Sequence, residues 1–482
     1  MKRALLIAKA ELLLMARSKI ALIGFLSLLL LSVIAAATSS AHMANERQGR
    51  VSNQTQTDAL FKAQPARHPH RMVHYGSYVY RPVGMLAGFD PGVDPFSGTV
   101  LYLEGHRQNS AVISSARESS SLMRFGQLTP AFVLQTLAPL LLVFLGFNMV
   151  VRERLRGSLR LLLSSGVSGG EIVLGKGLAL CILALASLTP SLIALIFIAI
   201  GQPSETSATF LIGSGYTLYL LVWAIAITAV SAWVKSGQAG LMILVSIWTF
   251  VAIIAPRSAA ELASKSEVLP SRAVTDLTIQ AELRLLGDSH NPNDPYFAAF
   301  KARTLARYNV TKVEDLPFNF RGALSAEGEA LTAKLFDQHF DALANTQRKQ
   351  VAVVKLLSFI SPAIAVRRLS MVGAGTDLET HLRFLEQGEK YRFSMVQKLN
   401  AMHKDKLTLA DDAARSKDPE AERRTRLNGT NWAQVPDFVF APTSTQERRN
   451  GAIMPLTILA VWLALVAGLA TLSARRLGER AL

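Results

Sequence analysis

Cysteine occurs once in 482 residues, as Cys181, and lies in an apolar run. No disulfide can form within one chain, so the parts outside any membrane must fold by packing alone. The redox compartment stays open, because an oxidising space permits disulfides without requiring them. His-Glu-x-x-His, Gly-x-Ser-x-Gly and a Cys pair are also missing, which leaves a hydrolase without a recognisable site. Charge is absent from six long intervals: Ile20–Asn45, Phe125–Val151, Gly177–Ser204, Thr206–Val234, Ser236–Pro256 and Asn450–Ala474 hold no Asp, Glu, Lys or Arg. Each has about 20 residues or more, enough for a helix to cross a hydrocarbon core roughly 30 Å thick. Secondary transporters and pumps place ionisable groups inside such spans to carry protons or ions. With none there, the energy for any transport must enter from outside the membrane core.

What is present agrees. Half of the residues are hydrophobic, mean hydropathy is +0.28, the formal net charge is +16 and the pI is near 10.0. This describes an integral membrane protein with substantial polar parts. Spans are expected at about 20–39, 128–151, 177–200, 208–234, 238–255 and 451–473. A signal peptide cleaved near Ala35-Ala36-Ala37 is the rival reading of the first. The basic region before it is long and the apolar run exceeds the about 7–15 residues of a signal core, so an uncleaved span is expected. Lys2, Arg3, Lys9, Arg17 and Lys19 precede span one; Arg152, Arg154, Arg156, Arg160 and Lys176 follow span two; Lys235 and then Arg475, Arg476 and Arg480 flank the later spans. The opposite short loop, Gly201–Ala208, has no basic residue. The positive-inside rule then places both termini in the cytoplasm. It accounts for the pI without nucleic-acid binding. Residues 2–17 read as a basic, partly amphipathic helix along the inner leaflet, in contact with membrane lipid.

Two long segments would face outward. The first, 42–127, carries strand and turn signals such as Ser77-Tyr78-Val79-Tyr80 and Val100-Leu101-Tyr102-Leu103, and is expected to hold short strands and loops. The second, 257–449, has apolar residues at helical spacing (Leu331, Leu335, Phe336, Phe340, Leu343) and reads as mostly helical. Asn291-Pro292-Asn293-Asp294-Pro295 reads as a loop. Gly375-Thr376-Asp377 looks like a helix stop followed by the N-cap of a helix bearing His381 and Phe384, with a local polar contact expected between Asp377 and His381. His68, His70 and His74 fall within one short stretch without a carboxylate or Cys nearby. They are read as a solvated loop, and no metal or cofactor site is assigned.

Residues 164–177, SSGVSGGEIVLGKG, look at first like nucleotide-binding sequence. Gly170 and Gly175-Lys176-Gly177 give Gly-x-x-x-x-Gly-Lys, but Gly177 stands where a Ser or Thr hydroxyl must hold magnesium. No segment on that side of the membrane exceeds about 25 residues, too short to bury a core. Ser168-Gly169-Gly170-Glu171 fits a capping box instead, starting a helix that runs into span three. Upstream lies Glu153-Arg154-Leu155-Arg156-Gly157-Ser158-Leu159-Arg160-Leu161-Leu162-Leu163-Ser164, charged and then apolar.

That segment, with Val167, Ser168, Gly175 and Lys176, resembles the permease subunits of type-2 ABC exporters. They carry a similar Glu-Arg-x-Arg-Gly-Ser-Leu run between spans two and three. Leu155 stands where a second Glu is frequent, and Gly166 where Pro usually precedes Val-Ser. The resemblance implies that Glu153, Arg154, Arg156, Gly157, Ser158, Leu159, Leu162, Leu163, Ser164, Val167, Ser168 and Lys176 form a coupling helix. Its partner would be a separate ATP-binding subunit, in two copies, which carries ATP and magnesium. A second permease, identical or homologous, would complete the assembly. A branch with a large uncharacterised insert between spans five and six resembles this chain at Ser361-Pro362, Gly375-Thr376-Asp377, His381, Phe384 and Glu389-Lys390-Tyr391-Arg392. In its first outer loop the likeness continues at Asp90-Pro91-Gly92 and Leu103-Glu104-Gly105-His106.

The expected protein is mainly α and polytopic, in the bacterial inner membrane, and not catalytic by itself. Its parts are an interfacial elbow helix (1–19), span one (20–41), a first periplasmic region (42–127) and spans two to five (128–256, coupling segment 152–176). A helical periplasmic domain (257–449), span six and a tail (450–482) follow. The periplasmic regions would cap the exit or dock a partner. The alternative is a membrane-anchored assembly or sensing subunit that transports nothing.

Overall fold

The computed structural model describes residues 1–111, 127–288, 291 and 293–479. Pro292, Arg480 and the stretch 112–126 of the first outer segment lie outside the described residues.

Helix α1 (Lys2–Arg17) buries Ala4, Ala8, Glu11 and Met15. This is a stripe at the helical repeat. Leu5, Leu6 and Leu13 are left exposed on its other faces. After Ser18, α2 runs unbroken from Lys19 to Lys62, 44 residues. At about 1.5 Å per residue this is roughly twice the thickness of a hydrocarbon core. Its polar second half is helical because its side chains serve the backbone of the next segment. Ser39 Oγ donates to Gly88 O at 2.6 Å, Arg47 to Val83 O and Gly84 O at 3.3 and 3.2 Å, and Arg50 to Arg81 O at 3.1 Å. Gln54 Oε1 accepts from Tyr80 N at 2.8 Å. Short α3 (Pro69–Val73) and α4 (Asp94–Ser97) follow, with the antiparallel pair β1 (Ser77–Tyr80) and β2 (Val100–Leu103), Ser77 opposite Leu103.

The chain then forms α5 (Pro130–Leu155), α6 (Ser158–Ser164), α7 (Gly169–Gly201), α8 (Pro203–Trp233) and α9 (Gly237–Ser266). After α9 come α10 (Arg272–Leu286), α11 (Pro295–Tyr308), α12 (Phe320–Leu357), α13 (Pro362–Ala374) and α14 (Leu378–Lys406). Three short helices, α15 (Leu409–Ala414), α16 (Pro419–Arg424) and α17 (Gly429–Trp432), lead to α18 (Thr445–Glu479). Six helices among the described residues (α2, α5, α7, α8, α9 and α18) are long and apolar enough to cross a membrane. The protein is mainly α and polytopic. The apolar window of α8 is 56% buried, against 17% for α2 and α9. Thus α8 is the central helix of the bundle, while α2 and α9 offer their faces to lipid or to another chain.

Two crossing helices widen locally, α5 into a π turn at Val133–Leu137 and α9 at Phe250–Ile254. Each π turn lies just before a proline, Pro139 and Pro256. Proline has no N–H and clashes with the carbonyl four residues back, so the helix opens there. Side chains take up the carbonyls. Tyr219 Oη donates to Gln135 O at 2.8 Å, Trp248 Nε1 to Thr136 O at 3.0 Å and Ser361 Oγ to Val251 O at 2.8 Å. The hydroxyls of Ser187, Thr189, Ser214 and Thr217 donate to carbonyls of their own helices at 2.7, 3.3, 2.8 and 2.8 Å. Such bonds suit packing residues rather than a polar binding site.

The two outer segments share one core. Met72, Val79, Leu101 and Leu103 from the first pack with Phe384, Met395, Leu399 and Trp432 from the second. Helix α13 belongs to the bundle instead: Ala363, Val366 and Leu369 join Tyr216, Tyr219 and Leu220 in the membrane core. There Gly215 allows the contact, since a Cβ on it would lie 1.9 Å from Leu369 Cδ2.

Candidate functional site

The segment after α5 is a helix–turn–helix fixed from three sides. Gly157 has φ 76°, the left-handed turn that ends α5 and lets α6 start at Ser158. Ser158 Oγ brackets this turn by donating to Glu153 O at 3.2 Å and to the Glu153 carboxylate. At the start of α7 the capping box is complete. Ser168 Oγ accepts from Glu171 N at 3.2 Å, and Ser168 N donates to Glu171 Oε2 at 3.0 Å.

Glu153, Arg154 and Lys176 face inward. Arg154 donates to Ala232 O at 3.0 Å and to Val234 O, the carbonyl end of α8. A guanidinium there complements the helix dipole and satisfies orphan carbonyls. Lys176, only 3% exposed, donates to Glu153 Oε1 at 2.8 Å and to Glu11 on α1. Glu11, 1% exposed, also accepts from Arg152 Nη2 at 2.8 and 3.0 Å. The α1 helix is thus clamped to both flanks of the segment by a four-residue ion network. Arg3 Nη1 adds a bond to Gly166 O at 2.5 Å. Packing is equally close. A Cβ on Gly175 would lie 2.6 Å from Ala4 O, and one on Gly169 would lie 2.4 Å from Ala474 O.

Of the apolar residues, Leu159 is buried with Val150, Ile172, Ala232 and Leu477, and Leu162, Leu163 and Val167 pack against that cluster. The free surface is made by others: Leu155 and Leu161 are 69% and 71% exposed, with Arg156, Arg160 and Ser164 exposed around them. The residues singled out in the sequence therefore divide in two. Glu153, Arg154, Gly157, Ser158, Leu159, Leu162, Leu163, Val167, Ser168 and Lys176 build the unit, while Arg156 and Ser164 belong to its outer face. The sequence reading missed Glu11, which lies far away in sequence, and passed over Leu161, whose exposure depends on how α6 is rotated.

Residues 5–309 match the ABC-2 family transporter protein family. Residues 272–441 match a domain of unknown function (DUF3526). The chain belongs to the ABC-2 transporter family. No curated protein and no solved structure matches it. The family match makes the chain a multi-pass membrane permease of an ABC transporter. It also implies an ATP-binding subunit as partner.

In this ABC-2 permease the motifs of the two outer segments meet each other. Gly375 takes φ 65° and ends α13, and Asp377 caps α14 by accepting from Thr380 N at 3.2 Å. Thr376 Oγ1 donates to Asp90 O at 2.9 Å, and Val93 N donates to Thr376 O at 3.0 Å. Gly92, at φ 54°, leaves room for this contact, since a Cβ would lie 2.2 Å from Thr376 O. Thus Asp90-Pro91-Gly92 and Gly375-Thr376-Asp377 form one joint. Phe384 is fully buried in the shared outer core. The expected contact between Asp377 and His381 is not made. The Asp377 carboxylate is taken by Thr380, whose Oγ1 donates to it at 2.7 Å, and His381 Nδ1 has no hydrogen-bond partner among the described residues. Burial and the nearby Arg81 cation lower the His381 pKa from 6.5 to about 4. Glu389 and Arg392 pair internally at 2.6 Å, and Arg392 reaches Glu329 at 2.5 Å.

Two cavities open where the outer body meets the bundle. One, of about 850 Å³, has Arg348, Lys355, Arg368, Asp377, Arg383 and Arg448 among its walls. The other, of about 480 Å³, lies between the two π turns and includes Asp90, Gln135, Thr136, Ala252, Arg257 and Arg367.

Proposed function

We propose that the chain is the permease subunit of an ATP-driven exporter and receives the ATPase stroke through residues 153–168. The observation that carries this reading is the exposed patch of Leu155 and Arg156, at the end of α5 and its turn, with Arg160 and Leu161 on the short α6, whose other side is braced. Apolar residues for docking and arginines for orientation suit a groove on a partner. The ion network behind the patch would transmit a push as a rigid-body motion into α1, α5 and α7 at once. Two such permeases and two ATP-binding subunits carrying ATP and magnesium form the working assembly in this reading. The lightly buried faces of α2 and α9 are available for lipid and for the second permease. The basic flanks support a coupling end in the cytoplasm and an outer body in the periplasm of a bacterial inner membrane. The outer body would cap the exit or dock a periplasmic partner.

The test is copurification of the ATP-binding subunit with wild type and with Arg156→Glu plus Leu161→Asp. Both positions are exposed, so folding should survive. The expected result is loss of the ATPase from the complex and of its stimulation by the permease. Equal recovery and stimulation would refute coupling at this face and favour a non-transporting membrane subunit.

A further inference from the structure

The outer body brings together three histidines that the sequence separates. His70 and His74 flank one turn of α3, and their Nε2 atoms are 3.3 Å apart. His106, from the loop after β2, lies tilted beside them with ring centroids 6.0 Å from His70 and 5.3 Å from His74. One ligand nitrogen from each of the three lies within 4.8 Å of the others. His68, grouped with His70 and His74 in the sequence, belongs to a different cluster. Its Nε2 is 3.2 Å from Asp412 Oδ1 and its Nδ1 accepts from His70 N at 3.1 Å. That second cluster is structural: Asp412 is also held by His403 at 2.8 Å and by Asn319 at 3.2 Å.

We propose that His70, His74 and His106 form a binding site for a divalent transition metal of the zinc class, with a fourth position open to solvent. A tetrahedral site with Zn–N of about 2.0–2.1 Å has ligand nitrogens ~3.3 Å apart, and the His70–His74 pair already has this separation. His106 is prepared as a ligand from behind. Its Nδ1 lies 3.0 Å from Glu329 Oε2, which also accepts from the His106 backbone N at 3.0 Å. A carboxylate on one ring nitrogen fixes the tautomer that leaves the other nitrogen's lone pair for a metal. That other nitrogen, Nε2, is buried and has no hydrogen-bond partner among the described residues. Buried polar atoms are seldom left so without a ligand or ion nearby. Glu329 is itself fully buried and held by Arg392 Nη1 at 2.5 Å, so the outer shell is rigid.

The backbone around His106 is shaped for this placement. His106 sits at φ 61°, a left-handed conformation uncommon for a residue with a Cβ. Gly105 N donates to Val73 O at 3.1 Å, and a Cβ on Gly105 would lie 2.2 Å from Val73 Cγ1. The loop is therefore pressed onto α3 at the turn that carries the other two imidazoles. Three neutral imidazoles without a thiolate suit Zn(II), Co(II), Ni(II) or Cu(II) rather than calcium or magnesium. His74 is exposed and gives solvent access to the metal. A bound metal would tie α3 to the β2 loop and, through Glu329 and Arg392, to α12 and α14.

The experiment uses full-length protein carrying no polyhistidine tag, in detergent, stripped with a chelator. It is titrated with Co(II), followed by ligand-field absorption, and with Zn(II) against a chromophoric chelator. One metal per chain with a tetrahedral or five-coordinate Co(II) spectrum is expected. His106→Ala and His70→Ala should abolish the spectrum, Glu329→Gln should weaken affinity by about 10–100-fold, and His339→Ala should change nothing. Absence of saturable uptake by wild type, or uptake by His106→Ala equal to wild type, would overturn the proposal. Should the variants fail to fold, acylation of histidines in wild type decides. Zn(II) should protect His70, His74 and His106 but not His339, and equal labelling with and without Zn(II) refutes the site.

Discussion

Glu11→Gln isolates the joint between the elbow helix and the coupling segment. Glu11 is almost wholly buried and accepts two bonds from Arg152 and one from Lys176, itself buried. Hydrogen bonds to charged groups contribute about 1.5–3 kcal/mol each, but these three share one carboxylate and do not add. Removing one member of a buried ion pair costs about 3–5 kcal/mol, because the remaining charge stays desolvated. Glutamine keeps one acceptor oxygen, and Arg152 is partly exposed and screened by water, so the lower end, about 3 kcal/mol, is appropriate. At 1.36 kcal/mol per tenfold this corresponds to roughly a hundredfold in a rate. The assay is the rate of irreversible thermal inactivation in detergent for wild type, Glu11→Gln, Lys176→Met and the double variant. Each single variant should inactivate at least tenfold faster. The double variant should fall well short of the product of the single effects, because Glu11 and Lys176 then no longer strand each other, whereas each single variant leaves the other buried charge without its partner. A single variant within twofold of wild type, or strictly multiplicative effects, would show that the network does not hold α1 to the segment.

Other outcomes follow from the same geometry. Gly175→Leu should separate α1 from α7 and destabilise by about 1–3 kcal/mol, read as a lower thermal inactivation midpoint. Thr376→Val removes the bond to Asp90 O and should cost about 1–2 kcal/mol, with faster proteolysis between the bundle and the outer body as the readout. His381 has its folded pKa lowered from 6.5 to about 4. Its contribution is therefore complete above pH 6.5, is lost as pH falls towards 4, and totals roughly 3 kcal/mol. His381→Gln should make the decline of thermal stability across that window shallower, and an unchanged slope would contradict the assignment. Glu329 is opposed by burial, but His106 and Arg392 more than offset this and bring its pKa from 4.5 to about 2. Its contribution is lost as pH falls from 4.5 towards 2, so Glu329→Gln should flatten stability in that lower range.

Charge-free stretches announced the crossing helices, because an unpaired charge is costly in hydrocarbon and its absence over a span's length is hard to mistake. The capping box at Ser168 and Glu171 and the stop at Gly375 were legible for the same reason: each is a local rule satisfied within four residues. The polar half of α2 was not legible. Nothing local marks residues 42–62 as helical, and their side chains are used by backbone groups at 80–84. The π turns needed more than Pro139 and Pro256, since their stability rests on Tyr219, Trp248 and Ser361 from other helices.

The sequence alone determined that the chain is a mainly α, polytopic membrane protein with a charged-then-apolar segment between its second and third spans. It did so through composition and periodicity, which depend on the solvent each residue must face. Only the tertiary structure decided which side of that segment is free. Glu153, Arg154 and Lys176 turn inward to Glu11 and the end of α8, leaving Leu155 and Leu161 outside. Only the tertiary structure, too, replaced His68 with His106 beside His70 and His74. Contacts between residues far apart in the chain are set by how whole elements pack, and spacing along one segment carries no record of them.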